Sequence, residues 1–159
     1  MTERIPRANY VASAERQGAA MRVINQIIKL GTQGHSDVVD ITERLADLVR
    51  SSGIKDGIMT AFVVGSTAAL TTIEFEPGLV HDIKEAFERI APESGHYAHH
   101  EKWGDDNGHS HVRASLLGPT LVVPVISSKL PLGTWQQAIL IDFDTRPRRR
   151  EIIVQIIGV

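Results

Sequence analysis

Two imidazoles, a guanidinium and two carboxylates fall within the eleven residues Asp105-Asp106-Asn107-Gly108-His109-Ser110-His111-Val112-Arg113-Ala114-Ser115. Tyr97-Ala98-His99-His100 stands just before them, so five of the seven histidines lie between Gly95 and Ser115. Read as a strand, 109–117 puts His109, His111, Arg113 and Ser115 on one face and Ser110, Val112, Ala114 and Leu116 on the other. A His-x-His pair on a strand sets its rings about 6 to 7 Å apart, a spacing that suits one metal ion. His99 or His100, brought back by the preceding loop, would supply a third ligand. Glu74 or Glu76 would add a carboxylate. A divalent metal is therefore expected at His109 and His111 with one of these loop rings as third ligand, and zinc, magnesium, nickel or copper are all open as its identity. The alternative is a pair of solvated surface histidines.

Other residues offer chemistry of their own. Glu74 and Glu76 share a strand face and suit a ligand or general-base role, or simply the polar side of a half-exposed strand. Gly65-Ser66-Thr67 presents hydroxyls and backbone amides at a turn where a phosphate fits. Arg113 suits bidentate pairing with phosphate, or an ion pair with Asp105 or Asp106. In Thr134-Trp135-Gln136-Gln137, Trp135 reads as core or subunit contact and Gln136 as a residue facing a ligand.

The elements that position these groups follow from periodicity. Residues 1–20 are polar and aperiodic and read as a loose arm, leaving 21–159 as a single catalytic or binding domain. Ile24, Ile28 and Leu30 share a face of a first strand over 22–30. A helix reads clearly over 40–52, with Ile41, Leu45, Leu48 and Val49 at helical spacing. Asp40 with Glu43 resembles a capping box, and Gly53 a C-terminal stop. Residues 57–64 and 67–76 read as two strands joined by a tight turn at Gly65-Ser66. Pro77 opens a second helix to Ile90, which Pro92 ends. Residues 91–108 read as a long polar loop, and such loops in compact domains are more often functional than idle. Strands over 120–126, 134–143 and 149–157 close the chain. The sum is an α+β fold, a largely antiparallel β-sheet core with two main helices packed on it.

Composition narrows the function classes. The 159 residues carry a formal net charge of −2 and no cysteine, so any metal must use His, Asp or Glu. The basic run Arg146-Pro147-Arg148-Arg149-Arg150 has no interleaved aromatic residues, and the chain as a whole is slightly acidic. A nucleic-acid partner is therefore not expected. No apolar run suits a membrane span and no secretory signal is evident, which points to a soluble, cytoplasmic protein.

Beyond these local readings, the chain from Met21 to Val159 resembles the secondary thiamine-phosphate synthase family. The resemblance rests on Val39-Asp40-Ile41-Thr42, Ser52-Gly53-Ile54-Lys55-Asp56-Gly57, Ser66-Thr67-Ala68-Ala69-Leu70-Thr71 and Glu74-Phe75-Glu76-Pro77. It continues through Tyr97–His99, His111-Val112-Arg113-Ala114-Ser115-Leu116-Leu117-Gly118-Pro119, Leu132-Gly133-Thr134-Trp135-Gln136, Asp142-Phe143-Asp144 and Arg146-Pro147-Arg148-Arg149. It implies a homotrimer with a His-rich pocket near the subunit boundary. The implied activity joins a pyrimidine methyl pyrophosphate to a thiazole phosphate and releases pyrophosphate.

The family's histidines map onto His99 and His111, and its strand glutamate onto Glu74. Many members carry a histidine where this chain has Gly65, so His109 is expected to take over the missing contact. In the implied reaction a metal at His99, His109 and His111 neutralises the leaving group and Arg113 clamps its oxygens. Glu74 orients the aminopyrimidine, and Ser66 and Thr67 cradle the other phosphate. The partner expected is thus a small phosphorylated molecule. The same residues also suit metal-dependent hydrolysis of a small molecule, or a non-catalytic trimeric module that binds a metal or metabolite.

Overall fold

A computed structural model describes residues 18–159; the arm expected over 1–20 lies almost wholly outside the described residues. Among the described residues, seven strands and four helices run in the order β1 (Arg22–Thr32), β2 (Asp37–Asp40), α1 (Thr42–Ser52), β3 (Gly57–Val63), β4 (Ala68–Ile73), α2 (Pro77–Ile90), α3 (Ala98–Trp103), α4 (Gly108–Leu117), β5 (Thr120–Val125), β6 (Gln137–Asp142) and β7 (Arg148–Gly158). The strands form two antiparallel sheets, β1-β7-β3-β5 and β2-β6-β4. The fold is α+β, as the periodicity indicates.

Alternation along β7 builds the main core. Ile152, Val154 and Ile156 turn inward and are fully buried, whereas Ile153 and Ile157 remain exposed on the outer face. Against the inner face pack Leu45 and Val49 of α1 and Ala138 and Leu140 of β6. The intervening β6 residues, Ile139 and Ile141, face the other way and meet Phe87 of α2 and Ala114 of α4. Strand β6 is therefore covered on both sides, which is why it reads as a continuous apolar run. Burying each such Leu or Ile side chain contributes about 1.5–3 kcal/mol.

Helix α1 starts where Asp40 Oδ1 accepts the Thr42 amide at 2.8 Å and ends at Gly53, whose φ of 69° is the left-handed stop. Glu76 caps α2 with its carboxylate, accepting the backbone amides of Gly78 and Leu79. That role occupies the second of the two glutamates expected to share a functional strand face.

Three local expectations are corrected. The segment expected as a strand over 109–117 is helix α4. Strands β3 and β4 do not form a hairpin but belong to different sheets, so the Gly65–Thr67 turn carries the chain from one to the other. The polar loop over 91–108 contains the short helix α3. Among the described residues no helix is long and apolar enough to cross a membrane.

Candidate functional site

The helical form of 108–117 re-sorts the chemistry that a strand would have placed together. On a helix, residues four apart share a side. His109 and Arg113 are buried, at 1% and 2% exposure, while His111 is half-buried and Ser115 exposed. Ser110, fully buried, donates its hydroxyl to the Phe143 carbonyl and pins α4 to the end of β6.

Arg113 is a structural tie and not an anion clamp. Its Nε donates to the Ala91 carbonyl at 2.9 Å, its Nη1 to Ser36 Oγ at 3.0 Å, and its Nη2 pairs with Glu88 at 2.5 Å. His109 is likewise turned into the protein, with its Nε2 3.2 Å from the Ser110 hydroxyl and its Nδ1 unpartnered. Burial and the nearby Arg113 charge hold its imidazole below the ordinary pKa. Among the described residues no three His, Asp or Glu side chains are grouped to hold a metal ion, which corrects the set His99, His109 and His111.

His99 and His111 do converge. Their ring centroids are 4.5 Å apart with the planes inclined at 51°. His99 projects from α3 and His111 from the first turn of α4, and the intervening chain folds back so that His99 Nε2 lies 3.6 Å from Asp105 Oδ1. The inter-sheet turn at Gly65-Ser66 lies beside the His111 ring, lining the same hollow. Burial first, and then the adjacent His99, lower the pKa of His111; Asp105, Asp144 and the nearby Ser66 backbone oppose this without reversing it. At neutral pH His111 is therefore an uncharged ring able to accept a proton.

A buried network carries the floor beside this pair. Asp142, with no exposed surface, receives Arg150 in a two-pronged bond: Nε to Oδ2 at 2.7 Å and Nη2 to Oδ1 at 2.6 Å. Arg150 Nη2 also donates to Thr67 Oγ1 at 2.8 Å, and Thr67 donates to Asp144 Oδ2 at 2.8 Å. Arg148 Nε completes the chain at 2.9 Å from the same oxygen. Burial pushes the Asp144 carboxyl up, but the bonds from Arg148, Thr67 and the Thr145 amide outweigh it and hold the group ionised below the usual range. Arg148 and Arg150 of the basic run thus turn inward onto carboxylates. Thr67, only 5% exposed, spends its hydroxyl here and leaves none for a phosphate.

Three hollows meet this centre. One, of about 310 Å³, is lined by Asp105, Asn107, Asp144, Arg146 and Arg148. A second, of about 160 Å³, is lined by Gly65, Ser66, His111, Ser115 and Pro119. A third, of about 330 Å³, is lined by His111, Val112, Ser115 and Leu116. A larger hollow of about 510 Å³ runs along the β1–β7 ladder, where Lys29 and Glu151 neutralise one another at 3.0 Å. It contains neither imidazole nor a residue in contact with one, whereas the 310 Å³ hollow adjoins His99 through Asp105 and Asn107.

The remaining candidates lie elsewhere. Glu74 sits exposed just past the far end of β4, about 20 Å along the strand from Thr67. Gln136 is at that same distant end, its amide bonded to Thr72 Oγ1 at 3.1 Å and to the Gly133 amide at 3.2 Å. Trp135 is not core but 71% exposed. Gly65 adopts φ 132°, and an added Cβ would stand 2.9 Å from Arg150 Nη1, so a side chain at this position requires a different turn. Asp144 and Arg148 were missed by sequence reasoning. Their signal is the period-two spacing of Asp142/Asp144 and Arg148/Arg150 at facing strand ends.

Comparison with known proteins gives a consistent outcome. A UPF0047 protein of Methanothermobacter thermautotrophicus is 38% identical over 141 residues, covering 89% of this chain and 96% of its own length. The UPF0047 protein YjbQ of Escherichia coli O157:H7 is 32% identical over 120 residues, covering 75% and 84%. A crystal structure from Sulfolobus solfataricus P2, described as a YbjQ-like protein of unknown function, superposes with a TM-score of 0.83 at 38% identity, covering 88% of this chain and 100% of that one. These findings overturn the expected assignment to a thiamine-phosphate synthase family. With it go the synthase activity, its hydrolase and metal-module alternatives, and the transferase and metal-binding descriptions. The family model that matches, over residues 26–159, is that of the UPF0047 protein YjbQ-like group, and the chain belongs to that family.

Proposed function

We propose that the protein binds a small phosphorylated molecule beside the His99–His111 pair and that this pair exchanges a proton with it. The observation that carries the reading is the 4.5 Å approach of the two imidazoles next to a hollow lined by Arg146 and Arg148. Arg148 uses its Nε on Asp144 and keeps a guanidinium edge for an anion. Neutral His111 accepts a proton from the bound molecule, and His99, backed by Asp105, returns or receives one. The charge-balanced floor keeps these groups in place without moving during the transfer.

A panel of small sugar, amine and heteroaromatic monophosphates in deuterated buffer, followed by NMR, tests this reading. Deuterium incorporation or turnover with wild type, lost in His111→Ala, is expected. Equal behaviour of the two proteins across every compound overturns it.

We also propose that the assembly is a homotrimer, formed through the outer face of the four-stranded sheet. Val23, Ile27, Ile58, Phe62, Val122 and Ile153 are all exposed there, an apolar surface that copies of this chain would cover. Sedimentation equilibrium at three times the chain mass is expected; a monomer contradicts it.

A further inference from the structure

Asp105 does not reach His99 directly. The 3.6 Å between Asp105 Oδ1 and His99 Nε2 is too long for a hydrogen bond, and the amide of Asn107 fills the gap. Asn107 is only 7% exposed. The orientation that satisfies its neighbours turns the amide nitrogen toward His99 Nε2 at 3.2 Å and toward Asp105 Oδ1 and Oδ2 at 3.0 and 3.2 Å. The opposite orientation sets a carbonyl oxygen against acceptors on both residues. Asn107 is itself fixed from behind, because its backbone carbonyl accepts the Ser110 amide at 2.9 Å where α4 begins.

We propose that Asn107 is a positioning residue through which Asp105 acts on His99. The carboxylate orients the amide, and the amide donates to Nε2, so neutral His99 carries its proton on Nδ1. A carboxylate bonded straight to the ring would select the reverse tautomer. The amide thus decides which nitrogen of His99 is free to give up a proton. This deepens the proton-exchange proposal above and rests on it for its catalytic meaning.

The test is nitrogen NMR of the histidine-labelled protein, without any ligand, at about pH 8 where ordinary imidazoles are neutral. His99 is assigned by the signals missing from His99→Asn. In wild type, Nε2 is expected as the unprotonated, pyridine-type nitrogen and Nδ1 as the protonated, pyrrole-type one. Asn107→Asp, which can only accept, is expected to convert Nε2 to pyrrole-type. Asn107→Ser, too short to bridge, is expected to give a mixed signal. A pyrrole-type Nε2 in wild type overturns the proposal, and that result needs no variant to fold. Unchanged His99 signals in folded Asn107→Ser overturn it equally, since a merely structural Asn107 leaves the tautomer alone. If the tautomer is as stated but no phosphorylated molecule binds, the positioning role stands and the proposed function falls.

Discussion

The ring of His111 is half-buried 4.5 Å from that of His99, and charge on His99 disfavours a proton on His111. Replacing His99 by Asn removes one of the two influences that depress His111. The His111 pKa is expected to move upward in that variant, read from the imidazole signals in a pH titration. A downward move or no change contradicts the coupling.

Acid lability follows from His109 and His111 together. Both imidazoles are held below the ordinary value of 6.5 in the folded protein, each chiefly by burial. Below that value the unfolded chain binds protons that the folded chain does not, so stability falls as pH drops through this window and is flat above it. Urea unfolding at about pH 7.5 and 5.5 is expected to show lower stability at the acid end, with a smaller difference in His109→Phe. Full retention of the acid loss in that variant assigns it to other groups.

Removing Arg150 strands Asp142, whose carboxylate has no exposed surface. Arg150→Met is expected to cost about 3–5 kcal/mol in chemical denaturation, the usual consequence of leaving one buried charge without its partner. A cost below about 1 kcal/mol would mean that the Thr32 hydroxyl and the Asp144 amide suffice for Asp142.

Glu74 offers the opposite case. Exposed and distant from the imidazoles, Glu74→Gln is expected to change stability by less than about 0.5 kcal/mol and to leave any phosphate-dependent response intact. Loss of that response would return Glu74 to the site and displace the centre described above.

The elements legible in the sequence are those whose apolar residues keep a helical period or form a dense β-branched run. Leu45 and Val49 mark α1, and the Ile- and Val-rich run 152–157 marks β7 although Ile153 and Ile157 face outward. Helix α4 was not legible because its inward stripe is polar: His109, Ser110 and Arg113 are buried, while Val112 and Leu116 are exposed. A hydrophobic pattern inverted in this way imitates an alternating strand. The inter-sheet turn at Gly65 was hidden for a different reason, since a pair of strands with Gly-Ser between them reads locally as a hairpin whichever sheet each joins. Of the candidate site, His111 and Ser66 are singled out by residue type and spacing, and His99 by the family resemblance. The residues found beside them, Asn107, Asp144 and Arg148, are assembled by long-range folding of the β6–β7 end against the α3–α4 connection.

The most direct measurement follows the histidine ring signals by NMR as a small phosphomonoester is added to wild type and to Arg148→Met. Coincident, saturable shifts of His99 and His111 in wild type, abolished in the variant and absent from exposed His81, are predicted. Shifts confined to the exposed rings, or none at any concentration, would contradict a phosphate site at this pair.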